Sequence, residues 1–228
     1  MQTQYLTFQE RRRIRNKTII IWLSAVLAVA GGIWGVVKLA QSSEPSLQTI
    51  GQVPALSASD KVLGNREAPV QIIEYADFQC PSCQAVDPLL KQLVSEYQGK
   101  IALVYRNYPL KTIHSTAMIA AAAAEAAGKQ GKFWEMHDLL YTNQSQWADK
   151  PNAAEIYAGF AQSLGMDVEQ FKKDLLSPAI QAQISSNYDT AIGLTLDHTP
   201  TFALNGKLID NPRGYDGFKH VIDRELSK

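Results

Sequence analysis

Two cysteines three residues apart are the part of this sequence best suited to chemistry. Cys80 and Cys83 enclose Pro81 and Ser82, and the 228-residue chain has no other cysteine with which either could form a structural disulfide. A pair at this spacing is typical of a redox couple or of half a metal site. Zinc would need further ligands, and the four histidines are scattered singly. We therefore predict a redox couple and no metal.

The residues around the pair predict a junction between a strand and a helix. Residues 69–75 are β-branched and apolar, and the apolar residues after Cys83 recur on one helical face. Free N–H groups and the positive end of the helix dipole stabilise a thiolate at such a junction. Pro81 suits the first helical position, because it has no N–H to leave unpaired. We expect Cys80 to be the exposed nucleophile and Cys83, behind it, the resolving thiol.

The elements that must position the pair follow along the chain. Residues 101–107 predict a second buried strand, parallel to the first and joined to it by a crossover helix. Helical signals then dominate from about residue 113 to 194. Short strands are predicted at 201–204 and 207–209 around Asn205-Gly206, a strong hairpin signal. A helix over about 216–226 closes the predicted order of β-α-β, helical block, β-β-α.

The amino-terminal region predicts a membrane anchor. Residues 1–17 hold five basic residues and one acidic residue, and residues 18–37 carry no charge and are long enough to cross a bilayer. We expect a cytoplasmic tail (1–17), a transmembrane helix (18–40), a polar tether (41–67) and a domain (68–228) outside the cytoplasm. The alternative is a signal peptide cleaved near residues 28–30, which would release a secreted protein.

The charge distribution argues against nucleic acid as a partner of the main domain. The chain has 22 basic and 22 acidic residues, and residues 18–228 keep 17 basic and 21 acidic ones. A phosphate-binding surface needs an excess of basic residues. The balance fits protein or small-molecule substrates better.

Four separate motifs resemble a known family. Residues 74–83, Glu-Tyr-Ala-Asp-Phe-Gln-Cys-Pro-Ser-Cys, resemble the active-site signature of DsbA-like thioredoxin-fold proteins. Similar segments follow in the family's order, at residues 104–110, 131–137 and 199–206. The resemblance covers about residues 60–228. It implies an α/β thioredoxin fold with a helical insertion (about 113–194) between the second strand and a cis-proline strand, here preceded by the single transmembrane helix.

The resemblance also implies roles for residues away from the pair. Pro200 matches the family's cis-proline, and the backbone of Thr199 would then pair with an extended client. An ordinary proline at a strand start is the alternative. Glu74 matches an acidic position beneath the disulfide, where burial would raise its pKa and let it exchange a proton with Cys83. The alternative for Glu74 is a solvated carboxylate at the strand end.

Two further residues, Asp77 and His198, lie close to these motifs. Asp77 is a family-type residue that we interpret as structural or helix-capping. His198 departs from the family pattern, which more often has a small residue before Thr-Pro. A protonated histidine there would stabilise a nearby thiolate, and the alternative is a residue simply tolerated at a loop edge.

The implied activity is thiol–disulfide exchange through Cys80 and Cys83, with no added cofactor. We expect an oxidase that introduces disulfides into exported proteins and that is reoxidised by a membrane quinone-linked thiol oxidase. A disulfide isomerase or reductase of the same fold is one alternative. A non-catalytic peptide-binding or chaperone module is another, and the intact cysteine pair argues against it.

Overall fold

The structure of the protein is a computed structural model that describes residues 52–228. The predicted cytoplasmic tail, the predicted transmembrane helix and residues 41–51 of the predicted tether lie outside the described residues. Within residues 52–228, no helix has both the length and the apolar character needed to cross a membrane.

A five-stranded sheet in the order β1-β3-β2-β4-β5 forms the centre of the domain. Strand β2 is parallel to β3 and antiparallel to β4, while β1 and β5 occupy the two edges in antiparallel pairings. Both central strands are buried almost throughout, as expected for a sheet covered on both faces. The strands are β1 (Lys61–Gly64), β2 (Val70–Ala76), β3 (Ile101–Asn107), β4 (Thr201–Leu204) and β5 (Lys207–Ile209).

Helix α1 (Pro81–Glu96) makes the predicted crossover between β2 and β3. Its apolar face meets one side of the sheet, and the closing helix α8 (Gly214–Leu226) covers the same side. Leu90 and Leu93 of α1 pack there in one apolar cluster with Phe218 of α8. This packing fixes the amino terminus of α1 at the carboxyl end of β2.

The predicted helical insertion is present between β3 and β4. Its most buried helix is α2, where a run of alanines lets neighbouring helices approach closely. The insertion also supplies the aromatic and aliphatic groups that cover the cysteine end of the sheet. Its helices are α2 (Ala117–Lys129), α3 (Phe133–Thr142), α4 (Gln144–Trp147), α5 (Ala153–Ser163), α6 (Val168–Leu175) and α7 (Pro178–Gly193).

The predicted hairpin between β4 and β5 is confirmed. Asn205 and Gly206 form its turn with φ angles of 48° and 78°. Positive φ at both central residues is what a type I′ turn requires, and asparagine followed by glycine adopts it at low cost. The hairpin places β4 in register beside β2, with Thr201 opposite Tyr75.

The predicted boundary between tether and domain at residue 67 is wrong, because residues 52–67 belong to the fold. Val53 is buried, and β1 pairs with β3. Asp60 forms a 2.9 Å ion pair with Arg106, and both side chains are almost fully buried. This segment is polar in composition, but its Asp60 and Lys61 pair with Arg106 and Glu125, which lie far away in sequence.

Candidate active site

Cys80 is the residue immediately before the first turn of α1. It has extended backbone angles, and Pro81 follows as the first helical residue, as predicted. Cys80 is 7% exposed and Cys83 is fully buried, and both are free thiols. Cys80 is therefore the more accessible sulfur, but it is less exposed than predicted, because the Thr199–Pro200 segment lies against it.

Hydrogen bonds make Cys80 the more acidic of the two thiols. A hydrogen bond from the Cys83 thiol contributes most, and together with Thr199 and the backbone N–H groups of Ser82 and Cys83 it lowers the pKa of Cys80 from 9.0 to about 5. Burial acts in the opposite direction and is outweighed. Cys80 is therefore a thiolate at neutral pH in the dithiol form.

Cys83 has the opposite electrostatic environment. Burial in the apolar base of α1 raises its pKa well above the usual value, and its hydrogen bond to Cys80 and the nearby Glu74 carboxyl raise it further. Cys83 keeps its proton where Cys80 loses one. The pair thus divides into a nucleophile and a buried thiol that needs a base before it can react.

Glu74 lies beneath the cysteine pair on β2. Only 2% of it is exposed, and its Oε1 atom has no hydrogen-bond partner. Burial, with smaller contributions from the charges of Asp87 and Cys80, raises its pKa from 4.5 to about 8. A solvated strand-end carboxylate is therefore ruled out. A buried carboxyl with a pKa near neutrality is suited to proton exchange with Cys83.

The Thr199–Pro200 peptide bond is cis, as the resemblance implied. The Cys80 Sγ lies 3.4 Å from the carbonyl oxygen of Thr199. The Thr199 hydroxyl is buried and has no hydrogen-bond partner in the structure. It can therefore donate a hydrogen bond to Cys80 once Cys80 is a thiolate. Asn211 donates a 2.6 Å hydrogen bond to the Pro200 carbonyl and holds the segment from the other side.

Asp77 is a buried structural residue. One carboxylate oxygen accepts a hydrogen bond from the Gln79 N–H, and the other accepts from the Leu110 N–H and contacts His114 Nδ1 at 2.7 Å. Gln79 precedes the first turn of α1, so Asp77 orders the loop before the helix and does not cap the helix itself. The contact between Asp77 and His114 was not predicted, because the two residues are 37 positions apart in the sequence.

His198 does not contact the sulfurs. Its ring is 61% exposed, and its Nδ1 lies 2.7 Å from Asp197 in the same loop. The main interactions that lower the pKa of Cys80 come from Cys83, Thr199 and the backbone N–H groups of Cys83 and Ser82. The position fits the alternative interpretation, a residue tolerated at the edge of the cis-proline loop.

A cluster of charged residues that was not predicted from the sequence lies beside the site. Asp87 and Lys91 of α1 meet His137 and Asp138 of α3, and the ligand atoms of Asp87, His137 and Asp138 lie within 4.8 Å of one another. The Lys91 ammonium contacts both carboxylates, so it supplies the positive charge that a cation would bring. The signal available in the sequence was the four-residue spacing of Cys83, Asp87 and Lys91.

Comparisons with known proteins agree with this geometry. The family described as Thioredoxin matches residues 57–224. The chain is 36% identical over 178 residues to a probable disulfide bond formation protein D of Bacillus cereus, with 75% of this chain and 81% of that protein covered. A thioredoxin-like oxidoreductase from Silicibacter pomeroyi DSS-3 superposes with a TM-score of 0.64 at 27% identity, covering 75% of this chain and 95% of that one.

A third relative is a much longer protein. The chain is 39% identical over 170 residues to the Na(+)/H(+) antiporter NhaA 3 of Salinispora tropica, and the match covers 75% of this chain. The chain spans 25% of the antiporter's length. The family match, the relative from Bacillus cereus and the paired thiols lead to the same conclusion: the chain belongs to the thioredoxin-fold family of DsbA-like thiol–disulfide oxidoreductases.

Proposed function

We propose that the protein is a thiol oxidase that introduces disulfides into exported proteins. The observation that carries this proposal is the acidity of Cys80, whose pKa is lowered to about 5. A stabilised thiolate favours the dithiol form, and a protein that is stable when reduced is a strong oxidant of other thiols. The name of the Bacillus cereus relative, a probable disulfide bond formation protein, supports the same direction.

The reaction starts from the Cys80–Cys83 disulfide. A client thiolate attacks Cys80, the Cys80–Cys83 bond breaks, and Cys83 leaves as a thiolate that takes up one proton. A second client thiolate then attacks the client sulfur of the mixed disulfide, and Cys80 leaves as a stable thiolate. The client loses two electrons and gains a disulfide, and the protein ends with a Cys80 thiolate and a Cys83 thiol.

The segment beside Cys80 is suited to holding an extended client. The Thr199–Pro200 segment is buried against the nucleophile. A separate groove of about 170 Å³ lies on the neighbouring loop and strands, where His198, Thr201 and Ile209 line it. An extended peptide beside the Thr199–Pro200 segment would align a client sulfur with Cys80 and pair with the backbone of Thr199.

The proposed location rests on the sequence of residues 1–40. A basic tail followed by an uncharged stretch favours an anchored chain with its thiols outside the cytoplasm. Clients there are exported proteins, and a membrane quinone-linked thiol oxidase is the proposed source of oxidising equivalents. A reporter fused after Lys228 should be active only outside the cytoplasm, and a cytoplasmic reporter would contradict this placement.

The direction of the reaction is tested with one client and both redox forms of the full chain. The oxidised chain should transfer its disulfide to reduced, unfolded ribonuclease A in a single turnover, and the Cys80→Ala variant should not. Efficient reduction of insulin by the dithiol form, without oxidation of ribonuclease, would identify a reductase. If wild type and Cys80→Ala increased the yield of folded ribonuclease A equally, the protein would be a chaperone.

A further inference from the structure

A charged stripe on α1 connects the buried end of the site with solvent. Cys83, Asp87 and Lys91 are spaced by four residues, so they lie above one another on one face of the helix. Exposure increases along the stripe: Cys83 is fully buried, the Asp87 side chain is 11% exposed, and the Lys91 side chain is 27% exposed. The stripe ends at Asp138 of α3, whose side chain is 51% exposed and contacts Lys91.

We propose that Asp87 and Lys91 are positioning residues of the thiol–disulfide reaction, and that their ion pair sets the charge state of Glu74 when Cys83 gives up its proton. The proposal rests on the thiol–disulfide chemistry of the cysteine pair and holds for either direction of electron flow. Glu74 has a buried carboxyl oxygen without a partner, so nearby charges act on it with little screening.

The two charges act on Glu74 in opposite directions. The Asp87 carboxylate raises the pKa of Glu74, and the Lys91 ammonium lowers it. Asp87 and Lys91 are joined by a 2.9 Å ion pair, so each also holds the other in place. Removing one charge therefore leaves the other uncompensated beside Glu74.

Other titratable groups lie around Glu74 and Asp87. They are Cys80 before α1, Cys83 of α1, Tyr105 of β3, and His137, Asp138 and Tyr141 of α3. Burial raises the pKa of Tyr105 and of Tyr141 well above the usual value, so both phenols stay neutral. Burial also lowers the pKa of His137, which leaves its ring neutral at pH 7 and above. Asp87, Lys91 and Asp138 therefore supply the fixed charges once Cys80 is in a mixed disulfide.

The step that reports on Glu74 is the resolution of such a mixed disulfide. The Cys80 thiolate attacks a symmetric aromatic disulfide and releases one aromatic thiolate. Cys83 then passes its proton to the Glu74 carboxylate and attacks Cys80, and a second aromatic thiolate leaves. The rate of the second release should rise with pH as Glu74 ionises, and both releases are followed by absorbance.

The test compares the pH midpoint of the second release in full-length variants. Asp87→Asn should move the midpoint to lower pH by about one unit, and Lys91→Met should move it to higher pH by a similar amount. Asp223→Asn is the matched control, because Lys219 and Asp223 form an exposed pair with the same spacing at 3.0 Å. It should leave the midpoint unchanged.

Opposite shifts in the two variants would establish the charge coupling, because a general loosening of the helix cannot produce both signs. Unchanged midpoints, or shifts in the same direction, would overturn the proposal even if the melting temperatures fall. If Asp87→Asn does not fold, Lys91→Met decides alone: an upward shift supports the proposal and an unchanged midpoint contradicts it. If the wild type did not release even the first aromatic thiolate, the thiol–disulfide function itself would be contradicted.

Discussion

The Cys80 thiol lies 3.4 Å from the carbonyl oxygen of Thr199, although 119 positions separate the two residues in the sequence. The sheet brings them together. Strands β2 and β4 are antiparallel neighbours, so the last residues of β2 lie beside the first residues of β4. Cys80 follows the first strand end and Thr199 precedes the second. The nucleophile and the backbone proposed to bind the client therefore lie next to each other.

The acidity of Cys80 predicts a thiol that stays reactive under mildly acidic conditions. Its pKa of about 5 means that the thiolate persists at pH 7 and is lost as the pH falls through 5. Thiolate absorbance in the ultraviolet and the rate of alkylation by iodoacetamide should both show this midpoint. The Cys80→Ala variant is the control and should show neither signal there. A Cys80 midpoint near 9 would contradict the proposed electrostatics.

The two cysteines should behave differently when each is removed. Cys83→Ala leaves the nucleophile in place without its resolving thiol, so mixed disulfides with client proteins should accumulate. Cys80→Ala should trap no client, because the remaining thiol is buried and its pKa is raised. Non-reducing electrophoresis measures the adducts. Trapping by the Cys80 variant alone would reverse the assignment of nucleophile.

Glu74 should make the stability of the reduced protein depend on pH. Its pKa is raised from 4.5 to about 8, so its contribution favours the folded state below pH 4.5 and is lost as the pH rises to 8. Glu74→Gln should therefore be more stable than wild type at pH 8 by a few kcal/mol, on the order set by 1.36 kcal/mol per pKa unit, and the gain should vanish near pH 4.5.

Denaturant unfolding at several pH values measures this difference. Glu67→Gln is the matched control, because Glu67 is exposed and should give no comparable trend. The same Glu74→Gln variant should also slow the attack by Cys83, since the proposed base is gone. A stability difference that does not change between pH 4.5 and 8 would contradict the buried, proton-exchanging carboxyl.

Asp77 should matter for stability more than for chemistry. Asp77→Ala leaves the N–H groups of Gln79 and Leu110 and the His114 ring without their acceptor in a buried loop, and we expect a loss of about 3 kcal/mol. Asp197→Ala is the control, because Asp197 and His198 form an exposed pair at the same 2.7 Å distance. It should cost far less than Asp77→Ala, because solvent screens an exposed pair. Equal losses in the two variants would contradict the structural role of Asp77.

Local patterns predicted most of the fold. Strand β3 and the β4–β5 hairpin have the predicted residues, and β2 differs by one position, because hydrophobicity and turn residues determine these elements over short distances. Strand β1 was missed. It has only four residues and is held at the edge of the sheet by its pairing with β3 and by the ion pair of Lys61 with Glu125. Both contacts join residues far apart in sequence, so a local sequence pattern does not indicate them.

Only part of the candidate site could be predicted from the residues themselves. The spacing of Cys80 and Cys83 indicated the redox pair directly, while Glu74, Thr199 and Pro200 could be placed only through resemblance to a family. The pairing of Asp77 with His114 and that of Lys91 with Asp138 were not foreseen. Each joins two elements that are neighbours only after the helical insertion has folded back over the sheet.

If a stabilised Cys80 thiolate makes this protein an oxidant, the Cys80–Cys83 pair must have a high reduction potential. Equilibration of the full chain with glutathione buffers, followed by quantification of both redox forms, gives the value. We predict a potential between about −200 and −120 mV, on the oxidising side of the range for thioredoxin-fold proteins. A potential at or below about −270 mV, the value of thioredoxin, would identify a reductant and rule out the proposed oxidase.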